Sequence, residues 1–378
     1  MNYKSILNLL GILLAIFSLS FIPPLILSVL YAEQLSEIFL YSFLFLIILG
    51  GFMWFASRQN DLPLNISDGF IITTMFWVVL ACAGSIPFYF FGLSANDAIF
   101  ESVSGITTTG ATVIVGLDEL PKSLLLYRQL LQWIGGMGLI ILAVAVMPAL
   151  GIGGGQLYKM ELPGSHGNQR LTPKITDSAK ALWKIYFGLT VICAFLYVLS
   201  GMNLFDAIAH SLSTVAGGGF STHDASIGFF NSGLIETVCI IFMLLSAASF
   251  AVHYAAIFGG KPLKYFYDSE FRFFLSVVAM IIILSIIIHS LSNSYTDILL
   301  NIRSSIFHTV SIVTTSGFTT ENYSLWPGFL PYLLLVGAFM GACSQSVGGG
   351  IKTWRVLIMV NQAYKEILNI IHPNAVLS

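Results

Sequence analysis

The sequence predicts an all-α integral membrane protein in which one helix, loop and helix unit recurs. Of its 378 residues, 56% are hydrophobic and 9% are charged, and the mean hydropathy is +0.87, far from the balance of a soluble globular domain. Three internal segments also align with one another without a gap. The formal net charge of −2 offers no basic surface for nucleic acid, so no such partner is expected.

Eight apolar runs approach or exceed the length of about 20 residues that a helix needs to cross the hydrocarbon core. They are 6–31, 37–57, 68–92, 124–149, 182–201, 233–259, 273–292 and 327–360. The first is longer than a secretory signal and lacks a clear small-residue cleavage site, which favours a retained helix over a removed leader. The chain is therefore expected to cross the membrane several times.

The basic residues of the connections favour a cytoplasmic N-terminus. In that orientation the inner side receives Lys4, Arg58, Lys159, Arg170, Lys174, Lys180, Lys184, Lys261, Lys264, Arg272, Arg355 and Lys365, and the outer side only Lys122, Arg128 and Arg303. The outer connections instead carry carboxylates, namely Asp97, Glu101, Asp118, Glu119, Asp206, Asp224, Asp297 and Glu321. Such a field would attract cations to the outer face. Ordinary solvated loop charge explains any single carboxylate equally well.

The internal repeat lies in the segments 97–110, 206–219 and 304–317, whose final glycines are 109 and 98 residues apart. The aligned positions include Ile99, Ile208 and Ile306, and also Ser104, Ser213 and Ser311. Each segment begins with a polar residue expected to cap a helix: Asp97, Asp206 or Ser304. About ten mostly apolar residues follow, a length that suits a half-membrane helix, and then a Thr/Gly tract that helices do not favour.

Irregular backbone at membrane depth is tolerated only where it is buried in protein or lines a watery cavity. Three such tracts therefore predict pore loops, whose carbonyls and threonine hydroxyls can replace the water around a monovalent cation. Glycines that merely allow close helix packing are the better explanation for one loop, but a poorer one for three gapless copies.

At this point the motifs carry a resemblance. The stretches ITTTGAT (106–112), STVAGGGFSTHDASIG (213–228), SIVTTSGFTT (311–320), QWIGGMG (132–138) and GACSQSVGGGIK (341–352) closely resemble those of the TrkH-like membrane subunits of the Trk/Ktr/HKT potassium transporters. The resemblance covers essentially the whole chain. It implies two N-terminal helices (1–60), then pore repeats at 61–155, 156–262 and 263–366 of a pseudo-fourfold, channel-like fold, and a cytoplasmic end (367–378).

The resemblance also implies which residues bind the ion. The potassium filter falls on Thr108, Thr109, Gly110, Gly217, Gly218, Gly219, Thr315, Ser316 and Gly317, and the glycine kept in all three loops favours potassium over sodium. A gate loop falls on 341–352, with Gly341, Gly348, Gly349, Gly350 and Lys352 as its expected residues. A phosphate-binding loop is disfavoured there, because Ile351 separates Gly350 from Lys352 and no strand precedes it.

The expected biology follows from the same resemblance. The chain is expected to take up potassium across the cell (inner) membrane as a multi-pass protein, with potassium as substrate and no cofactor, and not to be an enzyme. A homodimer and a cytoplasmic ring of nucleotide-binding regulatory subunits (TrkA-like) are expected, with the basic inner segments near 159–184, 261–272 and 352–365 as docking surfaces. Passive transport and proton symport both remain open.

One departure from the family concerns the number of repeats. The family has four pore units, whereas no fourth filter tract follows Gly317 in this sequence. We therefore expect a truncated or interrupted gene product, a fragment, or one piece of a split protein, with incomplete activity as a single chain.

Other chemistry is less well supported. A proton- or sodium-coupled secondary carrier of a small solute is the alternative function, but three matching loops in parallel repeats favour a channel-like ring. His210 and His308 are expected to make structural hydrogen bonds rather than bind metal, and His253 to pack or to hydrogen-bond a neighbouring helix rather than relay protons. The cysteines, Cys82, Cys193, Cys239 and Cys343, lie in apolar runs and indicate neither a disulfide framework nor a metal site.

Overall fold

The computed structural model describes residues 3–57, 66–145, 175–292, 294–295 and 297–372. Throughout these residues the regular structure is helical. The helices are α1 (Tyr3–Ser18), α2 (Ile22–Leu30), α3 (Ser36–Ser57), α4 (Ile66–Gly84), α5 (Ile86–Phe91), α6 (Ala95–Ile106), α7 (Lys122–Ala145), α8 (Ile175–Leu199), α9 (Leu204–Ala216), α10 (Gly233–Ala247), α11 (Phe250–Ile257), α12 (Lys264–Tyr267), α13 (Ser269–Leu291), α14 (Ile298–Val313), α15 (Leu330–Met340) and α16 (Thr353–Ile371).

Among the described residues, five helical spans are long and apolar enough to cross a membrane, and a bent pair of helices makes up to six. They are Tyr3–Leu30, Ser36–Ser57, Asp68–Phe91, Lys180–Leu199 and Ser269–Leu291, with the bent pair at Gly233–Ala247 and Phe250–Ile257. The prediction of a multi-pass, all-α membrane protein is confirmed. The inner basic residues Arg58, Lys159, Arg170 and Lys174 lie outside the described residues, as do 373–378.

The predicted span 233–259 is not one straight helix. Its two halves, α10 and α11, meet at 102°. Ala248 and Ser249 between them are extended, with ψ of 149° and 134°, and the Ser249 hydroxyl accepts a hydrogen bond from the Ala251 N–H at 3.3 Å. A serine that caps a new helix therefore marks the break.

Each repeat contains one pore helix that is too short to cross a membrane as a straight helix. These pore helices, α6, α9 and α14, have 12, 13 and 16 residues. Buried apolar side chains form two clusters, one from the N-terminal helices with the first repeat and one mainly from the second and third repeats.

The predicted caps of the pore helices are wrong in position. The observed N-caps are Ser94, Asn203 and Asp297, so the helices begin earlier than expected from Asp97, Asp206 and Ser304. Asp97 and Asp206 are instead the third helical residues, and each carboxylate accepts a hydrogen bond from the cap side chain, at 2.8 and 2.5 Å. The cap side chain in turn accepts the backbone N–H of the same aspartate, at 3.2 and 2.9 Å, so each aspartate supports the cap without being one.

The N-terminal helices α1 and α3 cross at two glycines. A Cβ on Gly50 would lie 2.6 Å from the Gly11 carbonyl oxygen, and one on Gly11 would lie 2.7 Å from the Gly50 oxygen. Neither backbone can yield without separating the helices. Small residues permit this kind of close contact in membranes.

We expect Gly50→Ala to lower the free energy of unfolding by about 1–3 kcal/mol, the usual effect of overpacking. Gly51→Ala is the matched control, because no atom of the described residues lies within 4 Å of a Cβ there. Thermal unfolding in detergent, followed by tryptophan fluorescence, measures both. Equal stability of the two variants would contradict the crossing.

Candidate functional site: three pore loops and an inner loop

The three predicted filter tracts share one backbone conformation. In each, the first and third residues have positive φ: 54° and 77° at Thr108 and Gly110, 64° and 76° at Gly217 and Gly219, and 62° and 85° at Thr315 and Gly317. In each, the middle residue donates its N–H to the carbonyl of the aligned serine, at 2.9, 3.0 and 2.9 Å for Ser104, Ser213 and Ser311. The sequence repeat is therefore a repeat of geometry.

Two of these tracts carry backbone strain. Positive φ is rare for a β-branched residue, yet Thr108 and Thr315 both adopt it. Such residues cost about 1–3 kcal/mol each and persist at functional sites where the surroundings enforce them. The strain marks both threonines as functional candidates.

Neighbouring tracts touch through their glycines. A Cβ on Gly110 would lie closer than 3.0 Å to the Gly218 oxygen, and one on Gly219 equally close to the Ser316 oxygen. The first tract therefore lies against the second, and the second against the third. At Gly317 no atom of the described residues comes within 4 Å of the corresponding position.

Gln132 of α7 holds the second tract from behind. Its amide donates to the Gly218 oxygen at 2.6 Å, and its Oε1 accepts from the Ser213 hydroxyl at 2.6 Å and the Phe220 N–H at 3.1 Å. In the other repeats the aligned serine directly bonds the return strand, which is the segment that follows each tract. The Ser104 hydroxyl donates to the Ala111 oxygen and the Ser311 hydroxyl to the Phe318 oxygen, at 2.5 and 2.6 Å. Gln132 takes the place of that direct bond.

A buried ion pair ties the first repeat to the second. Arg128 donates to Glu101 at 2.7 Å, and neither side chain is exposed. The same guanidinium donates to the Ser221 oxygen at 3.1 Å and to the Thr112 hydroxyl at 3.0 Å. A buried charge is stable only when its hydrogen-bonding groups have partners. The bonds of Arg128 therefore hold the two return strands together. Arg303 and Glu236 form a two-bond pair between the third and second repeats, at 2.5 and 2.7 Å.

The histidines aligned with Glu101 also hold return strands. His210 bonds the Ser221 hydroxyl at 2.9 Å, and His308 bonds the Glu321 oxygen at 3.2 Å. His253 bonds the Tyr265 hydroxyl and the Leu245 oxygen, at 2.6 and 2.9 Å. These contacts are the structural hydrogen bonds expected from the sequence. Over the described part of the chain, no group of three or more His, Cys, Asp or Glu could hold a metal ion.

An outer latch joins the first and second loops through His223. Its ring bonds Asp118 on one side and Asp206, at 3.2 Å, on the other. Asp224 accepts from the Gly116 and Leu117 N–H groups at 3.1 and 2.9 Å. Burial opposes the charged imidazole, but the hydrogen bonds to the two aspartates outweigh it and raise the pKa of His223.

The outer carboxylates thus act mainly within the fold. Glu101 is paired with Arg128, Asp206 and Asp118 bond His223, and Glu321 accepts from the Trp326 indole at 2.9 Å. The expected attraction of cations by free outer charge is correspondingly reduced.

The predicted gate residues all lie in one inner loop, 341–352, between α15 and α16. Gly341 and Gly350 have positive φ, and a Cβ on either would lie closer than 3.0 Å to backbone of the other end of the loop. The Lys352 ammonium donates hydrogen bonds to the Gly348 and Ser346 carbonyl oxygens and so holds the loop in a compact form. The span is broken here as expected from its length.

The inner loop is docked against two other parts of the site. The Gly349 N–H donates to the hydroxyl of Thr315, a filter residue, at 2.7 Å. At the bend between α10 and α11, the backbone N–H of Cys343 donates to the Ala247 carbonyl oxygen at 3.0 Å. The backbone N–H of Phe250 donates to the Gln345 carbonyl oxygen at 2.9 Å. The two interrupted helices satisfy each other's backbone.

Sequence reasoning assigned no role to Gln132 or Arg128. Their signal was present, because polar and ionisable residues inside an apolar span are costly and mark functional positions. The motif QWIGGMG supports the resemblance to the family, but the sequence assigns no contact to its residues. Gly135 does pack on the Ile106 oxygen, but the glutamine that opens the motif makes the contacts to the filter tract.

We expect Gln132→Leu to lower the free energy of unfolding by about 2–4 kcal/mol, because several buried polar groups lose their partner. Gln129→Leu is the matched control one turn earlier. Gln129 is equally buried, and its amide has no hydrogen-bond partner within the described structure. We expect it to leave stability unchanged or higher. Chemical denaturation in detergent compares the two, and equal losses would contradict the role of Gln132.

The latch predicts a pH dependence. The pKa of His223 is raised above 6.5 in the folded protein, so its contribution to stability is present below that value and is lost as pH rises through the folded pKa. We expect the melting temperature of the wild type to fall between pH 6 and pH 9 by more than that of His223→Gln, which keeps a polar side chain without the charge. Parallel melting curves would count against the latch.

The chain is similar to known proteins in both sequence and structure. The TrkH family model, described as a cation transport protein, matches residues 35–378. Potassium uptake proteins TrkH of Halomonas elongata and Escherichia coli K12 are 47% and 43% identical over 381 residues, covering 100% of this chain and 79% of each relative. The crystal structure of the potassium transporter TrkH from Vibrio parahaemolyticus matches with a TM-score of 0.89 at 45% identity, over 100% of this chain and 78% of that one. The chain belongs to the TrkH family of cation transport proteins.

Proposed function

We propose that this protein carries potassium ions across a membrane, through a pathway lined by the three filter tracts. The observation that carries the proposal is the common conformation of the tracts, with left-handed residues at the first and third positions of each. The relatives named above are potassium uptake proteins, and the solved structure is of a potassium transporter. It is a transporter rather than an enzyme, with potassium as its cargo.

The tract geometry suits a weakly hydrated cation. An extended strand points successive carbonyls in alternate directions, and left-handed residues at the first and third positions change that alternation. Backbone oxygens, with the hydroxyls of Thr108, Thr109, Thr315 and Ser316, can then replace the water of the ion. In the second tract Gly217 and Gly218 contribute no hydroxyl, and the Gly218 oxygen already accepts a bond from Gln132. That tract therefore offers its backbone oxygens from a more constrained position.

We assign the gate to the inner loop, residues 341–352. Its Gly349 contacts the Thr315 hydroxyl, so a potassium ion leaving the third tract meets the loop. Gly341, Gly348, Gly349 and Gly350 give the loop its compact path, and Lys352 closes it. Conduction requires that this contact open.

The finer assignments complete the proposal. The protein lies in the cell (inner) membrane with a cytoplasmic N-terminus, in three pore repeats after two N-terminal helices. It works as a homodimer with a nucleotide-binding cytoplasmic subunit, for which the basic segment 261–272 is a docking surface. The ammonium of Lys352 bonds within the inner loop, so this residue contributes less to docking than the sequence suggested.

Rubidium flux tests the function. Purified protein in lipid vesicles is assayed alone and with a fourth pore unit supplied as a separate polypeptide. We expect rubidium uptake that potassium inhibits and sodium does not, in at least one of the two preparations. Absence of uptake from both would overturn the proposal.

The filter assignment is tested by Gly219→Ser. Its φ is 76° and its Cβ would meet the Ser316 oxygen, so we expect the preference for potassium over sodium to fall about tenfold or more, as a displaced carbonyl weakens coordination. Gly116→Ser is the matched control. Gly116 also has φ of 76°, but no described atom lies within 4 Å of its Cβ position. Rubidium uptake in competition with sodium measures both, and equal selectivity would remove the second tract from the filter.

A further inference from the structure

One carboxylate reaches both ends of the inner loop. Glu270 lies in the first turn of α13, the helix that opens the third repeat. Its Oε1 accepts the Ser344 N–H at 2.5 Å and the Trp354 N–H at 3.0 Å. Ser344 lies near the start of the loop and Trp354 just after its end. One carboxylate oxygen therefore bridges the two ends of the loop, in addition to the bonds that Thr353 makes to Gly341 and Ala342.

The second of these bonds also caps a helix. Trp354 is in the first turn of α16, where N–H groups lack partners within the helix. The N-cap residue of α16, Lys352, makes no side-chain cap bond. A carboxylate at the positive end of a helix is favourable, and hydrogen bonds to an ionised acceptor are stronger than neutral ones. Glu270 thus stabilises the start of α16 from a different helix.

Apart from the Lys352 ammonium, which bonds carbonyls within the loop, the contacts that dock the loop on its neighbours are neutral. Thr315 accepts from Gly349, and the bend between α10 and α11 exchanges backbone bonds with Cys343 and Gln345. These bonds hold the tip and one side of the loop. Glu270 is a carboxylate that reaches the base of the loop from another helix, so loss of its oxygen should free the loop more than loss of one neutral bond.

We propose that Glu270 is the positioning residue of the gate: its carboxylate clamps both ends of the inner loop, and the loop leaves the filter when the clamp opens. This inference rests on the proposed role of 341–352 as gate. Glu270 contacts no filter residue in these bonds. It acts through the loop.

Cys343 provides a native reporter of the clamp. It lies within the loop with 1% of its surface exposed, and Cys193 and Cys239, in the core of the second repeat, are fully buried. Reaction of each thiol with N-ethylmaleimide, resolved by mass spectrometry of the full chain in vesicles, therefore separates loop opening from general unfolding.

Three variants test the carboxylate. Glu270→Ala removes the oxygen, Glu270→Asp retracts it by one methylene, and Glu270→Gln keeps an Oε1 that can accept both N–H groups. We expect Cys343 to react about tenfold faster in Glu270→Ala relative to the core thiols, since two bonds to a charged acceptor are lost. Glu270→Asp should be intermediate and Glu270→Gln within about threefold of wild type. Glu270→Asp keeps the charge and provides the test should Glu270→Ala not fold.

The outcomes are decisive in both directions. Unchanged Cys343 reactivity in Glu270→Ala and Glu270→Asp overturns the clamp, and so does a Glu270→Gln variant as reactive as Glu270→Ala. Rubidium flux through the same vesicles keeps the proposed function separate. Faster labelling with higher flux supports clamp and gate together. Faster labelling at unchanged flux supports the clamp and removes the gate assignment.

Discussion

Backbone that leaves the helix inside a membrane must find its hydrogen bonds within the protein, and the architecture of this chain depends on that constraint. The helix is interrupted at the three filter tracts, at the bend after α10 and at the inner loop. Each interruption is matched by another. Ala247 and Phe250 at the bend bond Cys343 and Gln345 of the loop, and the loop in turn bonds a filter residue. The breaks are stable because they lie together.

The same constraint explains why polar side chains lie in the apolar helix α7. A filter tract cannot satisfy all of its own carbonyls and amides, because its residues lie one to four positions beyond the last residue of the pore helix. Gln132 satisfies an oxygen, a hydroxyl and an N–H of the second tract, and Arg128 satisfies an oxygen of its return strand. The first repeat therefore forms part of the filter scaffold of the second.

How far the sequence predicts this structure depends on whether the cause is local. Spans follow from hydropathy, and the repeat glycines from their spacing, because φ above zero favours glycine wherever a tract turns. No glycine marks the bend at Ala248. Alanine and serine are tolerated in helices, and the partner that stabilises their extended conformation is about a hundred residues away. The predicted caps were wrong because Asp97 and Asp206 have side chains that can cap a helix, but Ser94 and Asn203, three residues earlier, have such side chains too and occupy the N-cap position.

The hydroxyl of Thr315 joins the proposed filter to the proposed gate at a single atom. A threonine hydroxyl has two acceptor positions and one donor proton, and the N–H of Gly349 occupies one acceptor position when the inner loop is docked. Cation coordination at the third tract and docking of the loop therefore draw on the same oxygen. The Glu270 carboxylate at the base of the loop is a second attachment that does not involve that oxygen, so release of the tip alone does not free the loop. In the proposed gate, an ion at the third tract can displace the tip from Thr315, and Glu270 then sets how readily the loop as a whole gives way.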